Sequence, residues 1–419
     1  MKVLVVGGGG REHALCWKIA QSPMVSDLFC TPGNAGIAQI AQCLSGDAVE
    51  VAQQIGADFV VVGPDDYLAD GLVDRLNAVG IPAFGPTQDG AQLEASKIFC
   101  KTLLKKYGIP TGNFEAFDSA DAAKAYISDL DESFPVVVKA DGLALGKGVV
   151  VAQTRTEALD AVDHVISAAR GRATVLVEQY LTGEEVSLLA LTDGENVVPL
   201  VPAQDHKRVG EGDTGPNTGG MGCYSPVPSL TPELYDLAIK TILEPTVQAL
   251  KSEGIEYRGV LYAGLMLTPH GLKVLEYNCR FGDPETQVIL PRLQRDLMPL
   301  LLACAGATTF ENRSLPDIPC EWTSQSAVCV VMASAGYPGN YAKGEVLSGL
   351  EEATQAGAQV FHAGTALRDG GIVTNGGRVL GVTALGDGFA QARENAYRAV
   401  EQIHFNGAHF RRDIGWRCL

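Results

Sequence analysis

The first hundred residues alternate short aliphatic runs with amphipathic stretches, and glycines follow the runs. Val3–Val6 opens onto Gly7-Gly8-Gly9-Gly10 and a helical pattern over Glu12–Gln21, and Phe59–Val62 opens onto Gly63-Pro64-Asp65-Asp66 and a helical pattern over Leu68–Val79. Strands that alternate with helices in this way must lie parallel, because a helix returns the chain to the same edge each time; the rhythm therefore predicts a doubly wound parallel sheet. Three loops, 7–11, 32–36 and 63–66, then fall at the carboxyl ends of neighbouring strands and are expected to line one crevice.

With 419 residues the chain has room for two to four domains, at about 150 residues each. Beyond the first sheet, Ala91–Tyr107 reads as one helix, Phe134–Ala140, Val149–Ala152 and Thr174–Tyr180 as strands, and Thr156–Ala169 as a helix. Further strands are expected within Ser187–Leu200 and Val260–Tyr277, separated by a polar loop, Gln204–Gly222, and a helix over Pro232–Leu250. Strands at Ala327–Met332 and Gln359–His362 and a helix over Phe389–Ile403 complete the pattern.

Charge and cysteine usage narrow the chemistry. Thirty-two basic against 49 acidic residues leave a net charge of −17, the wrong sign for neutralising nucleic-acid phosphates or an anionic membrane surface. Any anionic ligand must be held by local cations. No apolar run reaches the roughly 18 residues of a membrane span, and MKVLVVGGGG is too short in its apolar part for a signal peptide. A cytoplasmic location is expected. The ten cysteines have no CxxC pair or regular spacing and read as small buried hydrophobes.

Forty-eight glycines gather in clusters, where bare amides can approach a ligand. As a dinucleotide fingerprint the first cluster fails: Glu12 stands where the third small residue belongs, and no acidic residue ends the second strand, so an NAD site is not expected. A phosphosugar site with Arg11 beside the amides suits the spacing better. The second cluster, Lys139 to Gly148, lies between two strands and has a lysine at its base, as a loop closing over phosphates would; it is not a Walker loop. In Val274–Asn278 strand alternation puts Glu276 and Asn278 on one face, a hard-oxygen pair suited to Mg2+, and Arg280 to Glu285 stacks charges in the turn that follows. The third cluster is long and polar, combining Asp205, Lys207 and Arg208 with bare glycines; His206 is a general-base candidate or a structural histidine.

At GGGGREHA, PGNAG, KADGLALGKGVVVA, QDHKR, DTGPNTGGMG, EYNCRFGDPETQ, FHAGT and TNGGRVLGVT the chain resembles the phosphoribosylamine–glycine ligase family of ATP-grasp enzymes, from residue 7 to about 384. Gln179, where that family usually has an acidic residue, and Leu145, where alanine is usual, are small departures. The resemblance implies an α/β fold in three parts: a Rossmann-like N-terminal sheet that binds phosphoribosylamine (1–100), an ATP-grasp domain (101–320, lid about 115–186) and a small C-terminal α+β domain (321–419). It implies ATP-driven joining of glycine to 5-phosphoribosylamine through glycyl phosphate, the second step of de novo purine synthesis.

The roles implied are specific. ATP would meet Lys101, Lys139 and the backbone of Gly142, Gly146, Lys147 and Gly148 through its phosphates, Glu178, Gln179, Tyr180 and Leu181 through adenine, and Glu185 through ribose. Mg2+ or Mn2+ would sit on Glu276 and Asn278; Arg280 would stabilise charge on the transferring phosphoryl group or on the tetrahedral centre; Asp205, Lys207 and Asp213 would serve glycine; and Gly8, Gly9, Gly10, Arg11, Asn34 and Asp65 would hold the phosphosugar. The chain is expected to be a monomer with small-molecule partners only. The rivals are another ATP-grasp carboxylate–amine ligase of purine metabolism, a non-catalytic ATP sensor and an NAD oxidoreductase.

Overall fold

A computed structural model of the 419-residue chain describes residues 1–130, 134–142, 148–168, 174–307 and 314–419. Its first sheet has the spatial order Gln42–Cys43, Asp27–Pro32, Lys2–Gly7, Phe59–Val62, Ala83–Phe84, with every pairing parallel. Lys2–Gly7 is central, so both its faces are buried: Val3 and Val5 enter one core with Ala14, Leu15 and Ile19, while Leu4 and Val6 enter another with Ala52, Leu68 and Leu72. The winding direction reverses between Lys2–Gly7 and Phe59–Val62, and the crevice opens at their carboxyl ends.

Two expected helices are each two. Leu68–Val79 resolves into Asp65–Ala69 and Leu72–Ala78 because Gly71 takes a left-handed φ of +75°, which ends one helix and starts the next. Ala91–Tyr107 divides into Gln88–Ala95 and Lys97–Lys106 at Ser96, whose backbone is extended and whose Oγ accepts the amide of Phe99 at 3.1 Å. A serine that competes for backbone amides makes a better cap than a helix interior. The new helix presents Lys97 and Lys101, one turn apart, on the same side.

An antiparallel sheet of Phe114–Phe117, Val175–Gln179, Val136–Ala140 and Val149–Ala152 is backed by the helices Ala120–Asp129 and Arg155–Ala168. A second, Val197–Pro199, Glu184–Thr192, Gly259–Thr268 and Gly271–Asn278, is also antiparallel. The helix expected over Pro232–Leu250 runs from Pro232–Ala238 through a wide turn, Ile239–Leu243, into Glu244–Ser252; the wide turn falls where Pro245 supplies no amide.

The segment expected as one loop, Gln204–Gly222, is largely structured. Gln204–Asp205 is a sheet strand, and Arg208–Gly210 pairs with Thr214–Asn217 as a hairpin. Gln204–Asp205 and Gly222–Ser225 also join Ser326–Ala333, Arg378–Gly386 and Gln359–His362 in one five-stranded sheet. That sheet draws on residues more than a hundred positions apart, a pairing local patterning cannot announce. All ten cysteines are unpaired, and among the described residues no helix is long and apolar enough to cross a membrane.

Candidate active site

A cavity of about 1370 Å3 lies where the sheets meet. At one end Lys101 Nζ and Lys139 Nζ each stand 3.1 Å from Glu178 Oε2, all three side chains being buried, and Lys101 also donates to Thr111 Oγ1 at 2.8 Å. Burial opposes both ammonium charges. For Lys101 burial prevails and lowers the pKa; for Lys139 the facing carboxylates of Glu178 and Glu276 outweigh it and raise the pKa. Two cations on one carboxylate leave a surplus positive charge, while Glu178 Oε1 is buried with no hydrogen-bond partner among the described residues. An anion and a hydrogen-bond donor would satisfy both.

Lys97, not singled out in the sequence, lines the cavity and donates to Gly142 O at 2.7 Å. Asp141 accepts from Ser96 Oγ at 3.1 Å and from the Ile98 amide at 3.2 Å, tying the start of the second glycine cluster to the helix Lys97–Lys106. Gly148 lines the cavity and Gly142 takes φ +100°, whereas Gly146, Lys147 and the departure at Leu145 lie outside the described residues. Gln179, Tyr180 and Leu181, expected at adenine, are not among the lining residues. Gln179 is spent on Asn113, its amide reaching Asn113 O at 2.8 Å. Glu185 acts on the cavity through Lys207, 2.5 Å from its Oε2.

Glu276 and Asn278 do share a face, and a bulge decides that it is the face toward the cavity. In the pairing of Gly259–Thr268 with Gly271–Asn278 the register shifts so that Gly264 opposes Glu276 while Leu265 opposes Val274, leaving Leu275 as a bulge. Before it Leu272 and Val274 enter the core; after it Tyr277 and Cys279 do, and Glu276 and Asn278 turn to the cavity. Glu276 faces the cavity and stays ionised because Lys207, Lys139, Lys97 and Arg280 around it outweigh the partial loss of water there. A carboxylate and a carboxamide oxygen facing a phosphate-sized space fit a magnesium-type ion, which takes one or two protein oxygens and completes its shell with phosphate and water. Among the described residues no cluster of three or more acidic, histidine or cysteine ligands exists, so a fully protein-caged metal is not built here.

Arg280 lines the cavity beside Glu94 (3.0 Å), Asn278 Oδ1 (3.1 Å) and Asp65 (4.0 Å), and its buried Nε has no hydrogen-bond partner among the described residues. Those carboxylates hold it protonated against burial. Glu94, Asp283, Glu285, Tyr262 and Arg378 also line the cavity and were not assigned from sequence. Arg378 pairs with Asp283 at 3.2 Å and donates to the carbonyls of Asp283 and Gly219, so the C-terminal sheet supplies one wall. The charge run at 280–285 was the available signal; its long-range partner was not.

The glycine cluster at 7–10 behaves differently from expectation. Glu12, 1% exposed, folds back among Gly7, Gly9 and Gly63 and its Oε2 accepts the Gly9 amide at 2.6 Å, taking a donor that a phosphate would otherwise use. Gly8, Gly9 and Gly10 do not line the cavity, because Gly8 abuts the backbone of Gly33 and Gly10 the side chain of Gln287. Nor does Asn34, whose amide bridges Gly8 O (3.0 Å) and His362 O (2.8 Å) while its Oδ1 accepts from Gly36 and Ile37. Only Arg11 and Asp65 from these loops reach it; Arg11 Nε pairs with Glu12 at 2.5 Å and Nη1 donates to Phe281 O at 3.2 Å. Asp205 and Lys207 line the cavity, but Asp213 turns away to Arg411 (2.9 Å) and Arg417.

His206 is not a lining residue either: it is buried beside Tyr224 and burial lowers its pKa to about 3. His13 and His362 pack together where the first helix meets the strand Gln359–His362, with the His362 amide donating to His13 Nδ1 at 2.7 Å, and burial lowers them to about 3 and about 4. All three histidines are thus neutral in the native state. Unfolding exposes them to protonate near pH 6.5, so stability present above that pH is lost as pH falls toward 4, by up to about 1.4 kcal/mol per pH unit per histidine. Asp205, raised to about 7 chiefly by burial, opposes one of them. Urea midpoints measured from pH 7 to 4.5 are expected to fall, and His362→Asn to flatten the decline; an unchanged slope would show His362 already protonated in the fold.

Residues 1–94, 95–286 and 327–417 match, in order, the N domain, the ATP-grasp (A) domain and the C domain of phosphoribosylglycinamide synthetase. The chain is 52% identical to phosphoribosylamine–glycine ligase of a Synechocystis species over 429 aligned residues, covering 100% of both. It is 53% identical to the enzyme of the same name from a Nostoc species, covering 100% of this chain and 99% of that one. The crystal structure of the Thermotoga maritima phosphoribosylamine–glycine ligase superposes with a TM-score of 0.86 at 34% identity, covering 99% of this chain and 100% of that one. A Hydrogenobacter thermophilus biotin carboxylase domain, 17% identical with a TM-score of 0.73 and covering 98% of this chain and 91% of that one, shares the fold.

Proposed function

The chain belongs to the phosphoribosylglycinamide synthetase family, and from that premise we propose that it joins glycine to 5-phosphoribosylamine at the expense of ATP, releasing ADP and phosphate. A carboxylate is a poor electrophile. A glycine carboxylate oxygen therefore attacks the γ-phosphorus of ATP, forming glycyl phosphate and expelling ADP. The amine of phosphoribosylamine then attacks the acyl carbon; the C–N bond forms, the C–O bond to phosphate breaks, and the amine loses a proton.

The observation that carries this reading is the buried pair Lys101 and Lys139 sharing Glu178 at one end of a cavity whose middle is faced by Glu276, Asn278 and Arg280. The lysines take the nucleotide phosphates and the free Glu178 Oε1 accepts the adenine amine. Mg2+ or Mn2+ held by Glu276 and Asn278 would supply charge neutralisation to the polyphosphate. Arg280, with its spare Nε, is aimed at charge developing on the transferring phosphoryl group. Asp205, a carboxyl with a pKa near 7 beside Lys207, takes the proton released by the amine. Positioning and electrostatics suffice, and no thiol takes part. The partners are small molecules only, the protein works as a monomer, and the reaction belongs to the cytoplasm.

Phosphate release from ATP and Mg2+, with phosphoribosylamine generated in situ from ribose 5-phosphate and ammonia, is expected to require glycine and to yield glycinamide ribonucleotide by mass spectrometry. Release driven instead by another carboxylate or by bicarbonate would move the function to a different ATP-grasp ligase. Arg11 lies at the crevice end of the first sheet and points a guanidinium into the cavity. Arg11→Ala is expected to raise the apparent KM for phosphoribosylamine by about tenfold, the loss of one charged hydrogen bond, with the KM for ATP unchanged. An effect confined to ATP would overturn its placement.

A further inference from the structure

The hairpin Arg208–Gly210/Thr214–Asn217 supplies Arg208, Val209, Pro216 and Asn217 to the cavity wall, directly after Lys207. Little in the hairpin itself holds it there. Every residue of Thr214–Asn217 is exposed, and the turn carries left-handed backbone at Gly212, Asp213 and Gly215, the aspartate at φ +55°. A two-stranded ribbon with no apolar face is marginal alone, and a left-handed aspartate weakens it further.

What fixes the hairpin is a strap, residues 409–417, laid along it. His409 Nε2 meets Val209 O at 2.9 Å; the Arg412 amide donates to Glu211 Oε1 at 3.0 Å; the Gly212 amide donates to Asp413 Oδ2 at 2.8 Å; and Arg417 pairs with Asp213. Arg411 is the centre of this seam. Its side chain is 0% exposed, and its donors reach Arg208 O (3.0 Å), Asp213 Oδ1 (2.9 Å) and both oxygens of Asp413 (2.8 Å each). One guanidinium thus joins the first strand, the strained turn and the strap, which the flexible single point charge of a lysine cannot do.

We propose that Arg411 is a positioning residue for the amino-acid end of the reaction: through Asp213 and Arg208 O it sets the hairpin, and so the wall around Lys207, in the geometry that receives glycine. This rests on the reading of the cavity as a glycine ligase site. It also gives Asp213 a place. The residue serves the site through Arg411 and Arg417, with no contact to substrate.

The test uses the full chain with Arg411→Lys, which keeps the charge but loses the fork, and Arg417→Gln, a milder change at the same aspartate. Two readouts are taken: amide hydrogen exchange across residues 208–217, and KM for glycine and for ATP separately. Expected are faster exchange confined to that segment, a rise in glycine KM of tenfold or more for Arg411→Lys and a smaller one for Arg417→Gln, with ATP KM within twofold. Arg411→Ala assayed with added guanidinium ion should recover part of the glycine KM. Unchanged exchange in 208–217, or loss of protection throughout with both KM values rising together, would overturn the strap. If the unmodified protein does not consume glycine, the functional reading fails, and the exchange data alone decide whether the strap holds the hairpin.

Discussion

Glu276→Ala is expected to lower kcat on the order of 1000-fold while leaving thermal stability within a few degrees, the scale seen when a preorganised charge-stabilising group is removed from an active site. Two observations separate the effects. Glu276 is exposed to the cavity and, among the described residues, makes no protein hydrogen bond, so its loss breaks no packing; yet Lys207, Lys139, Lys97 and Arg280 all face it. Without it, Lys207, Lys139, Lys97 and Arg280 lose the one carboxylate they all face, and the cavity wall gains net positive charge. Nucleotide binds, and the phosphates sit wrongly for in-line transfer. Turnover titrated against Mg2+ is the check: full activity at saturating metal would remove Glu276 from the metal seat.

Glu178→Ala is expected to act in the opposite way, through stability. Lys101 and Lys139 share one oxygen of Glu178, and removing it leaves two buried ammonium groups unpaired. Breaking a buried pair from one side costs about 3–5 kcal/mol, enough to depopulate the fold of a marginal domain. The loss falls on the sheet 114–179, because Val175–Gln179 is the strand on which both Phe114–Phe117 and Val136–Ala140 hang. Chemical denaturation should show it directly, and saturating ATP should recover part of the stability by giving both lysines a phosphate partner. A variant as stable as the parent would mean that the lysines already discharge in the fold.

The two residues illustrate what could be read early. Lys139, Glu178, Glu276, Asn278 and Arg280, which the structure places on the cavity, lie in or beside strands and turns that local patterning locates, whereas Lys101, on the helix Lys97–Lys106, was named through the family resemblance. The parallel sheet was legible from period alone. The breaks at Gly71 and Ser96 were not, because apolar spacing continues across them and only the backbone reveals the turn. Gly8, Gly9, Gly10 and Asn34 do not reach the cavity for a related reason. Their composition fits phosphate binding, but Glu12, three residues on, takes an amide and the loops at 8 and 33 pack on one another.

What the sequence by itself determined is therefore what contiguous motifs carry: Lys139, the pair Glu276 and Asn278 on one strand face, Arg280 in the turn after them, and the strand–helix alternation that puts loops at one crevice. What only the tertiary structure decided is which distant groups complete that chemistry. The bulge at Leu275 turns Glu276 to the cavity; Arg378 comes from the C-terminal sheet to meet Asp283; Arg411 crosses about two hundred positions to hold Asp213. The physical reason is range. Periodicity and turn chemistry act over a few residues, where backbone sterics and side-chain spacing govern, whereas ion pairs and strand register join groups brought together only once separate cores have packed.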